Sequence, residues 1–312
     1  MTNMREPDWA YMARSLLKVV AISAALFLAL SAVERVLWLF IDFDDERTAQ
    51  VYGTAARVAN PDKRLFYGYG DGGGLLETTY TLWGEPRRAS PGEDETEYEI
   101  VENLFGTVRA PSLDGPSGSL DDAITFAEED LGVDKEVTER ARKTIDGLPQ
   151  TLDAIAVVEF AHSMTTERLV AFNRRHTLCG GEDVSYVYAP SPYYDDSSGD
   201  PPLNAIVWNR NMTEEHIQLD HLPYQCETEP EAALAEFRRW VGLLDEEEDD
   251  LSEFELNYTW LTDAAKAGVV HGLVVDRWKL TELRKLLDDP EVRTVHLSDV
   301  AFDLDLDLGE IG

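Results

Sequence analysis

A long apolar run near the N-terminus constrains the fold of this chain more than any other feature. From Val19 to Ile41 the residues are apolar or small, apart from a Glu34-Arg35 pair close to the end of the run. As a helix, this run would measure about 34 Å, which is enough to cross a hydrocarbon core of about 30 Å. A charged pair near one end is tolerated because long side chains can reach the interface. The sequence therefore predicts a transmembrane helix over residues 16–41.

The charges on the two sides of the run predict its orientation. Basic residues precede it and acidic residues follow it, namely Arg5, Arg14 and Lys18 before it and Asp42, Asp44, Asp45 and Glu46 after it. Because positive charge stays on the cytoplasmic side, we expect residues 1–15 to form a cytoplasmic tail and the C-terminal bulk to lie outside the cell membrane. A retained signal anchor fits the length of the run better than the two alternatives. These are a signal peptide cleaved near Ala29-Leu30-Ser31 and a buried helix of a soluble protein.

The rest of the chain is strongly acidic. The whole chain has 61 acidic and 27 basic residues, a net charge of −34, and residues 1–41 hold only three of the acidic and four of the basic ones. Residues 42–312 therefore carry a net charge of −35, which repels phosphate backbones and excludes nucleic-acid binding through a basic face. Salt at about 1 M shortens the Debye length to about 3 Å and screens this self-repulsion. The composition favours a halophilic protein over an acidic surface that recruits cations or a basic partner.

Turn and linker signals divide the outer part into two regions. Residues 42–118 are predicted to form a membrane-proximal module that ends in a Pro-, Gly- and Ser-rich linker, and residues 119–312 an α+β domain. In the module, residue spacing predicts a helix over 48–59 and strands over 75–83 and 98–109. The Gly-rich run at 68–74 lacks the Gly-Lys-Ser/Thr ending of a phosphate-binding loop, so it reads as a turn between strands.

The domain alternates predicted helices and strands. Caps and apolar spacing predict helices over 119–130, 135–145, 165–176, 228–244, 252–266 and 280–287, and strands over 152–160, 184–189, 203–208, 269–275 and 292–300. The acidic run Asp245–Asp250 reads as a solvated turn. Val157-Val158-Glu159 and Val274-Val275-Asp276 each precede a similar helix, which indicates a weak internal repeat. Tandem β-α-β units of this kind build a ferredoxin-like sheet, which is the fold that we expect.

The two cysteines, Cys179 and Cys226, both lie in the outer part of the chain. In an oxidising exterior, an even pair of cysteines is most simply a disulfide. The bridge would close a loop of about 46 residues and stabilise the fold by about 3–4 kcal/mol. We therefore expect Cys179 and Cys226 to be joined.

A zinc site is the alternative use of these cysteines. His176 precedes Cys179 and His221 precedes Cys226, with His216 nearby, so that two thiolates and two imidazoles suit tetrahedral zinc. The spacings match no common zinc module. This pattern supports an alternative interpretation as a membrane-anchored zinc-dependent hydrolase that uses His216, His221 and Cys226.

Other catalytic motifs are absent from the sequence. The run Glu214-Glu215-His216 with His221 has the wrong spacing for HExxH, and neither a GxSxG elbow nor a Walker loop occurs. Asn211-Met212-Thr213 is a glycosylation sequon in a predicted loop. We therefore expect a single-pass, membrane-anchored extracytoplasmic protein that binds an unidentified partner or ligand and carries no catalytic activity. Its best candidate contact surface is the aromatic and acidic loop at residues 193–196.

Overall fold

The computed structural model describes residues 9–40, 45–71, 77–90, 95–103, 105–110, 119–124, 132, 134–176, 178, 184–191, 203–209, 212 and 229–302. It is a mixed α+β structure with two antiparallel sheets. A long helix precedes the sheets, and shorter helices pack on the larger of them. The 16–41 segment predicted from the sequence corresponds to this first helix.

Helix α1 spans Trp9–Phe40 without interruption. Within it, Tyr11–Val33 is long and apolar enough to cross a membrane, and none of its most apolar window is buried against the rest of the protein. This stretch begins five residues before the predicted 16–41 segment and ends eight residues before the end of that segment. No other helix in the described part of the chain meets the same criteria.

A buried helical segment connects α1 to the sheets. It comprises α2 (Asp45–Thr48), a π-helical turn (Ala49–Gly53) and α3 (Thr54–Ala59), in agreement with the helix predicted over 48–59. Val51, Ala55 and Val58 lie in the main core with almost no exposure. The buried guanidinium of Arg57 donates to the carbonyl oxygens of Leu65, Phe66 and Met212. The segment is therefore an integral part of the folded region.

The smaller sheet has the order β1-β2-β3-β4 and is antiparallel throughout. Its strands are β1 (Lys63–Asp71), β2 (Glu77–Pro86), β3 (Thr96–Asn103) and β4 (Val108–Arg109). The single strand predicted over 98–109 is wrong, because the chain turns at Gly106, which has a φ of 74°, and folds β4 back on β3. Gly68 and Gly70 of the Gly-rich run lie in β1, where Gly68 leaves room for the ring of Tyr80.

The larger sheet has the order β7-β6-β8-β5-β9, and all neighbouring strands are antiparallel. Its strands are β5 (Asp153–Met164), β6 (Val184–Ala189), β7 (Ile206–Trp208), β8 (Val270–Lys279) and β9 (Val292–Ala301). Because β8 lies antiparallel to both β5 and β6, these two strands are parallel to each other, and β8 and β9 are parallel for the same reason. Two β-α-β units therefore interleave in one sheet.

Helices cover one face of the larger sheet, which we call the helical face. They are α5 (Lys135–Asp146), α6 (Thr166–His176), α7 (Glu229–Val241), α8 (Tyr258–Ala267) and α9 (Leu280–Leu286). Under them lies an aromatic cluster in which the Phe237 ring stacks on Tyr188 at 5.0 Å and lies 5.2 Å from Trp208. This core is continuous with the buried helical segment and the smaller sheet.

The opposite face of the larger sheet, which we call the second face, has a separate and smaller core. It consists of alternate strand residues, covered by α4 (Ser119–Ile124) and by Ala89 beyond β2. The strand residues are Ile155, Val157, Val187, Val207 and Val274. The predicted domain boundary at residue 118 lies outside the described residues and stays a prediction.

Two predictions for residues 245–266 differ from the structure. Instead of one helix over 252–266, a 3-10 turn (Ser252–Phe254) ends at Glu255, which has a φ of 52°, and α8 starts after Asn257. The Asn257 side chain accepts a hydrogen bond from the Trp260 N–H at 2.7 Å, so it caps α8 rather than lying inside it. The acidic run Asp245–Asp250 is a turn, but the Asp249 side chain is buried and forms an ion pair with Arg47 at 2.8 Å.

Candidate functional site

A cleft lined by arginines lies where the smaller sheet meets the second face of the larger sheet. It is a small depression that is partly open to solvent. Its lining comes from the adjacent ends of β1 and β2, the segment after β2, and β5 and β8, through Arg64, Glu85, Pro86, Arg87, Arg88, Ser90, Ile155 and Arg277. The pairing of Arg64 with Glu85 across β1 and β2 fixes this end of the smaller sheet.

The floor of the cleft is a buried carboxylate held by two arginines. Asp276 of β8 has a side chain that is 1% exposed, and Arg87 has one that is 3% exposed. Arg64 approaches one oxygen of Asp276 at 2.8 Å, and Arg87 Nη1 lies 3.3 Å from both oxygens. Arg87 Nη2 also donates to the Ser185 hydroxyl at 3.3 Å. Through these contacts the buried Asp276 side chain joins the two sheets.

Arg87 is incompletely satisfied by this arrangement. Its Nε is buried and has no hydrogen-bond acceptor among the described residues. A buried donor without an acceptor costs about 1–3 kcal/mol. Two hydrogen bonds fix the backbone on either side of this side chain. The Arg87 N–H donates to the Asp62 carbonyl oxygen at 2.8 Å, and the Ala89 N–H donates to the Asp299 carboxylate at 2.8 Å.

A β-bulge presents Arg277 at the rim of the cleft. The register between β5 and β8 shifts between Ala154 and Ala156, so that Asp276 and Arg277 together lie opposite Ile155. Arg277 has a φ of 55°, a left-handed conformation that costs a non-glycine residue about 1–2 kcal/mol. Bulges often occur where a side chain must be redirected. Here the bulge buries Asp276 and leaves Arg277 exposed.

A second buried carboxylate lies on the second face of the larger sheet, two positions beyond Val157 in β5. Glu159 is 5% exposed and forms an ion pair with Arg293 of β9. The His296 Nε2 lies 3.2 Å from the other oxygen of Glu159. Glu159 and Asp276 occupy matching positions of the repeat that the sequence analysis identified. Each is buried at a strand position facing away from the helical face, and each has an arginine partner.

His176, one of the proposed zinc ligands, has a different partner. It ends α6, and its Nε2 lies 2.7 Å from Asp289, which also accepts from Arg175 at 3.0 Å. Burial opposes ionisation of Asp289, but the Glu291 N–H, His176 and Arg175 outweigh it and lower the pKa of this carboxyl. The described residues contain no group of three or more His, Cys, Asp or Glu side chains that could hold a metal.

Most of the other predicted site residues lie outside the described residues. These are Cys179, Cys226, His216, His221 and Asn211, together with the contact loop at residues 193–196. The disulfide, the zinc site and the glycosylation site therefore stay predictions.

The arginine cleft was not predicted from the sequence. One feature of the sequence points to the cleft, namely the basic pair Arg87-Arg88 in a region of high negative charge. The other contributors, Arg64 and Arg277, lie 23 and 190 residues away from Arg87 and meet it only through the packing of the two sheets. The pattern of charges along the chain cannot show that arginines so far apart in sequence lie side by side in the fold.

The chain was compared with protein-family models, with curated proteins and with solved structures. None of the three comparisons finds a match.

Proposed function

We propose that this chain is a single-pass membrane protein whose acidic α+β region lies outside the cytoplasm, adapted to high salt, and binds a ligand or partner without catalysing a reaction. The observation that carries the proposal is α1. It places 23 residues, Tyr11–Val33, in a helix that is long and apolar enough to span a bilayer and is not covered by the rest of the protein. Exposed apolar surface of this extent is unfavourable in water and favourable in lipid.

The folded region supports a binding role. Its most distinctive surface is the arginine cleft, which collects four guanidinium groups in a chain of net charge −34. Ligand recognition needs only charged and polar groups such as those that line the cleft. The interleaved β-α-β units also support our expectation of a ferredoxin-like sheet, because a split β-α-β arrangement is typical of that fold.

The proposed orientation rests on the charges around α1. Arg14 and Lys18 lie in its N-terminal part, whereas the acidic region that follows begins at Asp42. With the positive end in the cytoplasm, residues after 41 face the exterior. In this compartment the predicted Cys179–Cys226 disulfide could form and persist.

The test uses the full chain with a C-terminal epitope tag in its native membrane. We expect the protein to stay in the pellet after carbonate washing, and protease added to intact cells to remove the tag. A cytoplasmic protein with its own epitope tag serves as the control for cell integrity. Release by carbonate, or a tag that only lysis exposes, would contradict the proposal.

The proposed adaptation to high salt is tested by a separate measurement. The free energy of unfolding of the purified full chain should increase between about 0.1 and 2 M KCl, since screening removes repulsion among the surplus carboxylates. A free energy that does not depend on salt would exclude this part of the proposal and leave the anchoring intact.

A further inference from the structure

We propose that the hairpin between β3 and β4 inserts its tip, at Phe105, into the lipid interface next to α1. The bilayer that holds the anchor is thus the partner of this exposed tip, and the hairpin is a second membrane contact. This inference deepens the proposed function by assigning a surface of the folded region to the membrane. It rests on the proposed anchoring through α1.

The first argument is the exposure of Phe105. Its side chain is 86% exposed, which is more than any other large apolar side chain that the structure describes. Even on α1, the most exposed of the described apolar side chains, Leu17, reaches only 71%. Single exposed apolar residues are common on protein surfaces, so the position of Phe105 relative to the membrane decides what its exposure means.

The second argument is the position of the hairpin beside the segment that follows the anchor. The Thr48 hydroxyl of α2 donates to the Glu102 carboxylate of β3 at 2.8 Å, and Phe105 follows three residues later. The connection from Phe40 of α1 to Asp45 of α2 can span at most about 18 Å. The tip of the hairpin therefore belongs to the side of the folded region at which the chain arrives from the membrane.

The third argument is that the hairpin holds Phe105 in a fixed place. The Asn103 side chain accepts hydrogen bonds from the N–H groups of Phe105 at 2.9 Å and Thr107 at 3.0 Å. The Gly106 N–H donates to the Asn103 carbonyl oxygen at 2.9 Å, and Gly106 has a φ of 74°, which glycine adopts without strain. Because this backbone is already ordered, little conformational entropy is lost when lipid covers the ring.

A second exposed apolar side chain lies next to another element that contacts α2. Leu243 is 47% exposed and shortly precedes the turn Asp245–Asp250. This turn reaches α2 through the ion pair between Asp249 and Arg47 at 2.8 Å. Apolar side chains are thus exposed on or beside two of the elements that hold α2, which is the arrangement that a bilayer next to α2 favours.

The charges in this region favour neutral lipid as the partner. The arginines here, Arg47 and Arg109, form ion pairs with Asp249 and Glu77, and the exposed carboxylates of residues 246–248 remain in excess. Anionic headgroups would repel this surface, whereas neutral headgroups would not. A second copy of the chain would bring the same acidic surface to the contact and would be repelled in the same way.

The experiment places the photoreactive residue p-benzoylphenylalanine at position 105 of the full chain in nanodiscs of neutral phosphatidylcholine. After irradiation, we expect the peptide that contains position 105 to carry the mass of an attached lipid. The same replacement of Phe66 is the matched control. Phe66 is also exposed, at 42%, but it follows the Leu65–Gly84 pair near the opposite end of the smaller sheet. Its peptide should gain no lipid.

Three results would overturn the inference. They are the absence of a lipid adduct at position 105, an equal yield of lipid adduct at position 66, and a crosslink from position 105 to a second copy of the chain instead of to lipid. Because the Phe105 side chain is almost fully exposed, its replacement should leave the fold intact, and a missing adduct would report on the contact itself.

The result can be separated from the test of anchoring. A chain that resists carbonate washing but forms no lipid adduct at position 105 would refute the hairpin contact and leave the anchored protein in place. A chain that carbonate releases from the membrane would refute the anchoring and the hairpin contact with it.

Discussion

The two faces of the larger sheet are built from the same five strands but differ in chemistry. The helical face buries large aromatic side chains, with Phe237, Trp208 and Trp240 essentially without exposure. The second face buries small branched residues and, beside them, the charged side chains of Asp276 and Glu159. Alternation along each strand produces this division, because neighbouring residues point to opposite faces.

The two faces also differ in how their buried residues contribute to stability. Apolar burial on the helical face stabilises the fold at about 25 cal/mol per Å². Buried ion pairs on the second face contribute less net stability, because desolvation offsets much of their attraction. We therefore expect substitutions on the two faces to differ in their cost, as follows from the largest effect to the smallest.

Removal of the central aromatic residue of the helical face should have the largest effect. Phe237→Ala would leave a cavity among Tyr188, Trp208 and Trp240 and should lower the free energy of unfolding by about 3–5 kcal/mol. Val274→Ala on the second face serves as the matched variant and should cost about 2 kcal/mol. Chemical denaturation of the full chain measures both. Equal costs would mean that the two faces do not differ in the way we describe.

Neutralising the carboxylate under the cleft should have the next largest effect. Asp276→Asn would leave Arg64 and Arg87 without their shared counter-charge and should lower the free energy of unfolding by about 2–4 kcal/mol. This expected loss of free energy is smaller than the loss for a fully buried ion pair, because 25% of the Arg64 side chain is exposed. Asp288→Asn removes an exposed partner of Arg142 and should cost less than about 1 kcal/mol. A similar cost for the two variants in denaturant titrations would argue against a buried ion pair at the cleft.

The carboxylate beside His176 should affect stability in a pH-dependent way. The pKa of Asp289 is lowered in the folded state, so its ionisation stabilises the protein above the ordinary pKa of an aspartate and this contribution is lost as the pH falls. Asp289→Asn should therefore cost about 1–2 kcal/mol at pH 7 and progressively less as the pH falls through the lowered pKa of this carboxyl. Denaturant titrations across this range measure the difference. A cost that does not change with pH would show that charge at Asp289 is not involved.

The elements of the fold could largely be predicted from the sequence, whereas the site could not. Helices such as Thr166–His176 and strands such as Val184–Ala189 follow from apolar spacing and from local caps. The break at Glu255 was missed, because apolar residues on both sides of it continue a helical spacing. The cleft was missed since it depends on the bulge at Arg277 and on the packing of two sheets, and neither leaves a periodic signal in the chain.

One measurement tests most directly whether the second face gives up stability at the cleft. Arg277→Gly should relieve the left-handed strain and stabilise the full chain by about 1 kcal/mol. Thermal unfolding of the wild type is compared with that of Arg277→Gly and of Arg140→Gln, which removes an exposed arginine from α5. We predict that Arg277→Gly unfolds at a higher temperature than the wild type and that Arg140→Gln does not. A glycine variant that is no more stable than the wild type would contradict this account.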